Sequence, residues 1–296
     1  MDPNNITARI IADSQNTHGQ RLTSFLLRYP RFIHSELMTH RMLSRNAASS
    51  RAIPVKRMIA TIRANPALPE WWGATQRGMQ AKAQVDEAAL AICKDLWMQQ
   101  RDLTVETVSQ LLDAGLHKQI ANRLLEPWSH ITVLVTATCF SNFFSLRAHP
   151  DAQPEFQVLA YKMLQRFLGQ SPEDVAEGEW HMPFGDQMDD SMDLQQRLKV
   201  ATARSARLSY NTFDGVIDPL KDYELHDDLA ASGHWSPFEH CAMADPVVVS
   251  SGNFRGGWRQ YRATFERENR TAVDLDRILA DKPDWIDTAE PVEVAA

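Results

Sequence analysis

Cysteine is scarce in this 296-residue chain. Only Cys93, Cys139 and Cys241 occur, widely spaced and without a C-x-x-C pair. That argues against a disulfide framework or a thiolate zinc site and points to a reducing, cytoplasmic setting. All three read as small buried hydrophobes. No apolar run approaches the ~18 residues that span a bilayer, and the N-terminus, MDPNNITARI, lacks the basic-then-apolar layout of a signal segment. No membrane partner is therefore expected. Basic charge is not in excess either. A net charge of −7 argues against a nucleic-acid coat. There is no G-x-S-x-G nucleophile turn, no G-x-x-x-x-G-K-S/T phosphate loop and no G-x-G-x-x-G after a strand. No Pro/Gly/Ser linker divides the chain, which reads as one domain with insertions followed by an acidic tail from Asp274.

What is present is a basic stretch within this acidic chain. Residues 34–57, HSELMTHRMLSRNAASSRAIPVKR, set His34, His40, Arg41, Arg45 and Arg51 among Ser35, Thr39, Ser44, Asn46, Ser49 and Ser50. Leu37, Met38, Met42 and Leu43 recur at roughly helical spacing, which suggests a helix and then a loop ended by Ala52-Ile53-Pro54. Planar guanidinium forks bind phosphate or carboxylate in a bidentate way, and small hydroxyl residues allow close approach. The composition suits a nucleotide-sized anion. A solvated basic helix face is the alternative.

Around it, residues 6–13 read as a strand, and 131–138 (ITVLVTAT) as a buried strand because they are almost wholly β-branched. Arg21–Arg28 reads as a short amphipathic segment and 59–78 as an ordered loop in which Trp71 and Trp72 pack on the core or over a flat ligand. Helices are expected over 79–113, broken near Thr104, and over 117–128, 154–168 and 223–231. Residues 200–210 suggest a strand or short helix edge, 171–195 a surface connection, 246–249 a strand and 259–270 a charged helix.

Three constellations carry chemistry. Asn142, Arg147 and Gln153 follow the buried strand, a usual place for a site. Arg147 among Phe143, Phe144 and Leu146 needs an anion, either a ligand or an internal partner such as Asp151 or Glu155. HWSPFEH, residues 234–240, has the wrong spacing for a helical metal site. It suits cofactor contact, or a helix start capped by Ser236 with Pro237 at its first position. Cys241 beside His240 is the one thiol near an imidazole, and a buried Cys is the default.

Together these residues resemble the flavin-dependent thymidylate synthases. Thr39-His40-Arg41, seven residues, then Ser49 is similar to that family's R-H-R-x7-S signature. HWSPFEH is similar to its H-x-S-P-F-E-H stretch, Ala206-Arg207-Leu208-Ser209-Tyr210 to its A-R-x-S/C-Y strand, and SNFFSLRAHPDAQPEFQ, 141–157, to its Leu-Arg and Ala-Gln-x-Glu segment. Thr39 replaces the first signature Arg, Ala47 replaces a frequent acid, and Glu36 a usual Gln. The H-x-S-P-F-E-H stretch here follows the signature instead of preceding it, so the order looks permuted. The alternative is a duplication, with Arg259–Arg270 a degenerate echo of the signature helix.

The resemblance implies an α+β fold, a mixed β-sheet with packed helices, over 1–273, and a homotetramer with active sites shared between subunits. It implies FAD, NADPH and methylenetetrahydrofolate as cofactors and C5 methylation of dUMP, with a related pyrimidine deoxynucleotide monophosphate such as dCMP, hydroxymethylation, or a non-catalytic nucleotide-binding protein as alternatives. Carried over, Ser49 and Arg51 hold the nucleotide phosphate, with Arg123 adding a contact. Arg147 faces the pyrimidine, with Glu36 beside it, and stabilises ring charge; Arg147 and Ser49 are the catalytic candidates. His40, Arg41, Asn142, His234, Ser236 and Glu239 lie against the flavin. No metal is implied.

Overall fold

The computed structural model describes residues 5–185, 188–208, 218–265, 275–283 and 285–286. Its centre is a five-stranded mixed sheet of order β3-β4-β2-β1-β5, built from β1 (Thr7–Gln15), β2 (Arg21–Pro30), β3 (Ser44–Ala47), β4 (His130–Ala137) and β5 (Glu173–Asp174). β1, β2, β4 and β3 pair antiparallel, and β5 joins β1 in parallel. β4 is the strand expected from its β-branched run. β2 was not read as a strand from its sequence. It is buried along most of its length, so the apolar/polar alternation that marks a half-exposed strand is missing.

One face of the sheet, with Phe25, Leu27, Tyr29, Val133 and Val135, packs on α5 (Ser141–Arg147) and α6 (Pro154–Gly169). Adjacent residues point the other way, and there Leu26 and Leu134 meet Phe184 and Leu208. A second core lies between α2 (Val55–Ala64), α3 (Glu87–Asp113) and α4 (Lys118–Leu125), centred on Met58, Ile62, Val105, Val108 and Leu125. α3 runs unbroken through Thr104, because neither Gly nor Pro interrupts 87–113. Its start is capped by Asp86, which accepts from Ala89 N at 2.8 Å. α2 takes the first six residues, 59–64, of the expected loop, and 65–78 forms no helix or strand. Trp72 packs edge-on to Trp97 at 5.9 Å, while Trp71 stays exposed.

The C-terminal part adds α7 (Leu194–Ala206), α8 (Pro219–Ala231) and a small sheet of β10 (Trp258–Gln260), β7 (Ala242–Ala244) and β6 (Trp180–His181). Residues 200–206 are thus helix. Pro246–Val249 is a turn with Val247 and Val249 exposed, and strands flank it: β7, and a hairpin of β8 (Ser250–Ser251) and β9 (Phe254–Arg255). The charged segment from Arg259 starts as strand and a 3₁₀ turn, Tyr261–Thr264, not a helix. Its residues 266–270, Ser209-Tyr210 of the A-R-x-S/C-Y match, and most of the acidic tail lie outside the described residues. Gly256 and Gly257 adopt left-handed φ of 68° and 88°, a backbone that non-glycine residues resist. Their carbonyls accept from Asn16 Nδ2 at 2.8 and 3.1 Å, docking this part onto the β1–β2 turn. Cys241 is buried and burial pushes its thiol up to about 12. Cys93 is half-buried and Cys139 exposed, unlike the expectation for all three.

Candidate nucleotide and cofactor site

The basic stretch folds as a short helix, α1 (His34–Leu37), then a turn, then β3. Arg45 closes the turn. Its Nη1 donates to the carbonyls of Leu37 (3.3 Å), Met38 (2.9 Å) and His40 (3.1 Å), satisfying groups a helix end leaves open. His40 is thereby held buried, edge-on to Phe143 at 5.0 Å.

Arg147, in the last turn of α5, reaches this turn from the other side. Its Nε donates to His40 Nε2 at 2.9 Å, its Nη1 to Glu36 Oε2 at 2.8 Å and its Nη2 to Thr39 Oγ1 at 3.4 Å. The guanidinium lies 4.8 Å from the Phe156 ring centre. Glu36 supplies the anion, and the sequence-near candidates do not. Glu155 is instead buried, accepting from Glu70 N and Gln153 Nε2. Burial, then Arg147 and Arg45, lower the His40 pKa to about 4. A neutral ring is also what accepting at Nε2 requires.

The 234–240 segment packs on β3 despite its distance in sequence. With its NH2 turned toward Ser236, the Asn46 carboxamide donates to Ser236 Oγ (3.2 Å) and Ser236 O (3.3 Å). Glu239 accepts from Arg262 Nη1 at 2.6 Å. His240 is fully buried, its Nδ1 2.8 Å from Thr136 Oγ1 and its Nε2 3.4 Å from the Asn46 amide. Thr136 Oγ1 is 2.6 Å from Ser24 Oγ, which is 2.8 Å from His181 Nε2, whose Nδ1 meets Ser14 Oγ at 2.9 Å. Burial lowers His181 to about 3, and burial with His181 nearby lowers His240 to about 3. This chain of neutral groups ties β1, β6, β2, β4 and β3 to the segment, and every member answers another's hydrogen-bonding need.

Beyond β3, residues Ser50–Ala52 form a 3₁₀ turn set against α4. Ser50 Oγ donates to Glu126 Oε1 at 2.5 Å, and Asn122 Nδ2 donates to the carbonyls of Ser50 (2.8 Å) and Ile53 (2.9 Å). Arg51 Nη2 reaches Gln119 Oε1 at 3.5 Å, and Arg123 Nη1 pairs with Glu126 at 2.9 Å. Ser49, Arg51 and Arg123, all exposed, therefore share one surface between this turn and α4.

The structure gathers the sequence candidates in three adjoining groups along residues 36–51: Glu36, Thr39, His40 and Arg147; Ser236 and Glu239 at β3; and Ser49, Arg51 and Arg123. Arg41, Asn142 and His234 are exposed. Asn142 sits five residues before Arg147 on α5, on another helix face, and His234 Nδ1 contacts Ser232 Oγ at 3.0 Å. The supporting residues Asn46, Thr136, His181, Asn122, Glu126 and Phe156 carry no local sequence signal for these roles, since each acts through a partner distant in the chain. For a flavin, exposed Ser236 offers a hydroxyl beside β3, and His234 and Arg41, also exposed, offer an imidazole and a guanidinium, residue types that suit ring-edge and pyrophosphate oxygens. Among the described residues, no group of three or more His, Cys, Asp or Glu is placed to hold a metal ion, and no helix is long and apolar enough to cross a membrane.

Residues 20–173, more than half of the chain, match the family described as thymidylate synthase complementing protein. The match spans the 36–51 stretch and Arg147 and ends before HWSPFEH. Among solved structures, the chain is similar to the UMP/dUMP methylase PolB from Streptomyces cacaoi bound with 5-Br UMP, at 19% identity over 56% of this chain and 90% of that chain, with a TM-score of 0.47. The same methylase bound with 5-Br dUMP gives 19%, 56%, 91% and 0.46. Thymidylate Synthase X from Helicobacter pylori with FAD and dUMP is 16% identical over 49% of this chain and 67% of that chain, with a TM-score of 0.34. No curated protein matches the chain.

Proposed function

The chain belongs to the thymidylate synthase complementing protein family, and on that premise we propose that it is a flavin-dependent thymidylate synthase, methylating C5 of dUMP with methylenetetrahydrofolate and NADPH. The observation that carries this reading is Arg147. It is a guanidinium stacked over Phe156 and anchored by Glu36 and neutral His40, at the position where the family's Leu-Arg motif faces the pyrimidine. Its remaining donor capacity is directed to the carbonyl oxygens of the ring, where negative charge develops as C5 is made nucleophilic toward the one-carbon unit. The fixed partners mean that little reorganisation is needed at that moment.

Ser49, Arg51 and Arg123 hold the phosphate with one hydroxyl and two guanidinium forks. His40, Arg41, Asn142, His234, Ser236 and Glu239 form the flavin wall, and the Thr136–His240–Asn46 contacts hold its 234–240 part against β3. Bound flavin supplies the electrons, drawn from NADPH, that reduce the transferred carbon to a methyl group. Cys241, the thiol beside His240, is buried with its pKa raised and does not serve as a nucleophile. The exposed Arg41, Asn142 and His234 are read as completing sites shared within a homotetramer.

A second reading keeps the chemistry and changes the base. Glu36 is a carboxylate beside Arg147, and a carboxylate accepts the exocyclic amine of cytosine, so dCMP is the competing substrate, with methyl or hydroxymethyl product. Titration with FAD tests the cofactor directly. Saturable binding with a perturbed flavin spectrum, bleached by NADPH, is expected. Protein that stays colourless and leaves free FAD unchanged removes the flavoenzyme reading and leaves a non-catalytic nucleotide-binding protein.

A further inference from the structure

A cavity of about 230 Å³ lies between the sheet and α2. Arg28 from β2, His130 and Thr132 from β4, Arg31 just past β2, and Arg57 and Thr61 from α2 supply its polar wall. No lining residue is Asp or Glu. Arg28, Arg31, Arg57 and His130 thus line it together with Thr61, Ser129 and Thr132; Arg28 Nη1 also donates to Asn5 O at 3.0 Å, and the Ser129 hydroxyl to Glu126 O at 2.9 Å.

Arg31 is the fixed member. Its Nη2 donates to Ala48 O at 3.0 Å and its Nη1 lies 3.8 Å from Glu126. Its Nε is buried with no hydrogen-bond partner. A buried guanidinium donor without a partner is costly, and the Arg123 charge nearby adds to that cost. Burial, and Arg123 nearby, lower the Arg31 pKa, against the pull of Glu126. An oxyanion in the cavity would offset both penalties, and planar forks with flanking hydroxyls match the tetrahedral oxygens of phosphate.

We propose that this cavity binds a phosphoryl or pyrophosphoryl group of a small soluble ligand, as a second anion site distinct from Ser49, Arg51 and Arg123. None of those three lines it. Ala48 and Ile53, which do, flank the same turn, so an occupied cavity would stiffen the turn from behind. The assignment stands on the cavity alone and does not depend on the thymidylate synthase reading.

The test is calorimetric titration of the full chain with inorganic phosphate and, separately, inorganic pyrophosphate at constant ionic strength. It is repeated on an Arg28→Gln/Arg57→Gln pair and on an Arg51→Ala/Arg123→Ala pair. Saturable binding is expected in the unaltered chain and in the second pair. It should be weaker by about tenfold or more per removed arginine in the first, the worth of a charge-assisted hydrogen bond. Pyrophosphate binding tighter than phosphate assigns the group to a nucleotide or dinucleotide, and equal affinity assigns it to free phosphate. If the double variant does not fold, Arg57→Gln alone carries the same expectation at about tenfold. Absence of saturable binding in the unaltered chain, undiminished binding in the Arg28/Arg57 variants, or loss in the Arg51/Arg123 pair overturns the proposal.

Discussion

Arg147 and His40 share a hydrogen bond in which the guanidinium Nε–H donates to the imidazole Nε2 at 2.9 Å. With Nε2 accepting, the ring proton sits on Nδ1, and His40 works as a neutral spacer between two arginines, Arg147 and Arg45. Glu36 fixes the second guanidinium nitrogen at 2.8 Å. The pair separates two tasks in the proposed enzyme: Phe156, His40 and Glu36 aim the guanidinium, and the guanidinium meets the ring.

Arg147→Lys keeps a positive charge but loses the planar fork, so aim is lost more than attraction. Turnover is expected to fall by about 10²-fold or more, the usual effect of removing one preorganised donor, with a smaller change in dUMP affinity. Steady-state rates alongside calorimetric dUMP binding check it, and a lysine variant with unaltered turnover removes Arg147 from the reaction.

Arg51 and Arg123 lie on the open surface between the Ser49–Arg51 turn and α4. Arg51→Ala is expected to weaken nucleotide binding by roughly 1.5–3 kcal/mol, the worth of a charge-assisted contact. Calorimetry with dUMP measures it, and unchanged affinity would move the phosphate elsewhere.

Stability should fall with acid in a defined window. His40, His181 and His240 have folded pKa values lowered to about 4, about 3 and about 3, chiefly by burial. In the unfolded chain each takes a proton near pH 6.5. Below that pH the unfolded state binds protons that the native state refuses, so stability is full above about 6.5 and declines as pH drops toward 4 and then 3. The loss across this window is on the order of several kcal/mol. Urea midpoints between pH 7.5 and 4 read it, and a flat profile across that range contradicts buried neutral imidazoles.

Thr136 joins Ser24 to His240 at the centre of the buried chain of hydroxyls and imidazoles. Thr136→Val keeps the shape and strands both neighbours. It should cost about 1–3 kcal/mol of unfolding free energy and weaken FAD binding as the 234–240 segment loses its anchor on β4. Denaturant unfolding and FAD titration on the same preparation check both, and intact FAD affinity would uncouple the chain from the cofactor wall.

How far the sequence could be read depended on where the deciding contacts lay. β4 was legible because its β-branched run needs burial on both faces, and α6 because its apolar spacing is local. β3 was not legible. Ser44–Ala47 has little intrinsic strand tendency, and pairing of Ser44 with Thr136 and Ala47 with Val133 imposes it. The motif residues were recognisable one by one, yet the partner of Arg147 lies 111 residues away, while Asp151 and Glu155 stood nearer in the chain. The contact of the 234–240 segment with β3 could not be inferred from a motif order that looked permuted. In three dimensions the two segments meet regardless of that order, because Asn46 and Ser236 are brought together by the sheet and its small C-terminal partner.

Mass analysis of the nucleotide product tests the central claim most directly. Purified protein is incubated with FAD, NADPH, methylenetetrahydrofolate and dUMP, with dCMP in a parallel reaction. The expected result is dUMP converted to dTMP, dependent on FAD and abolished in Arg147→Ala. Conversion of dCMP alone would pass the chemistry to the second substrate. Unchanged dUMP and dCMP, in protein shown to bind FAD, would contradict methyl transfer by this site.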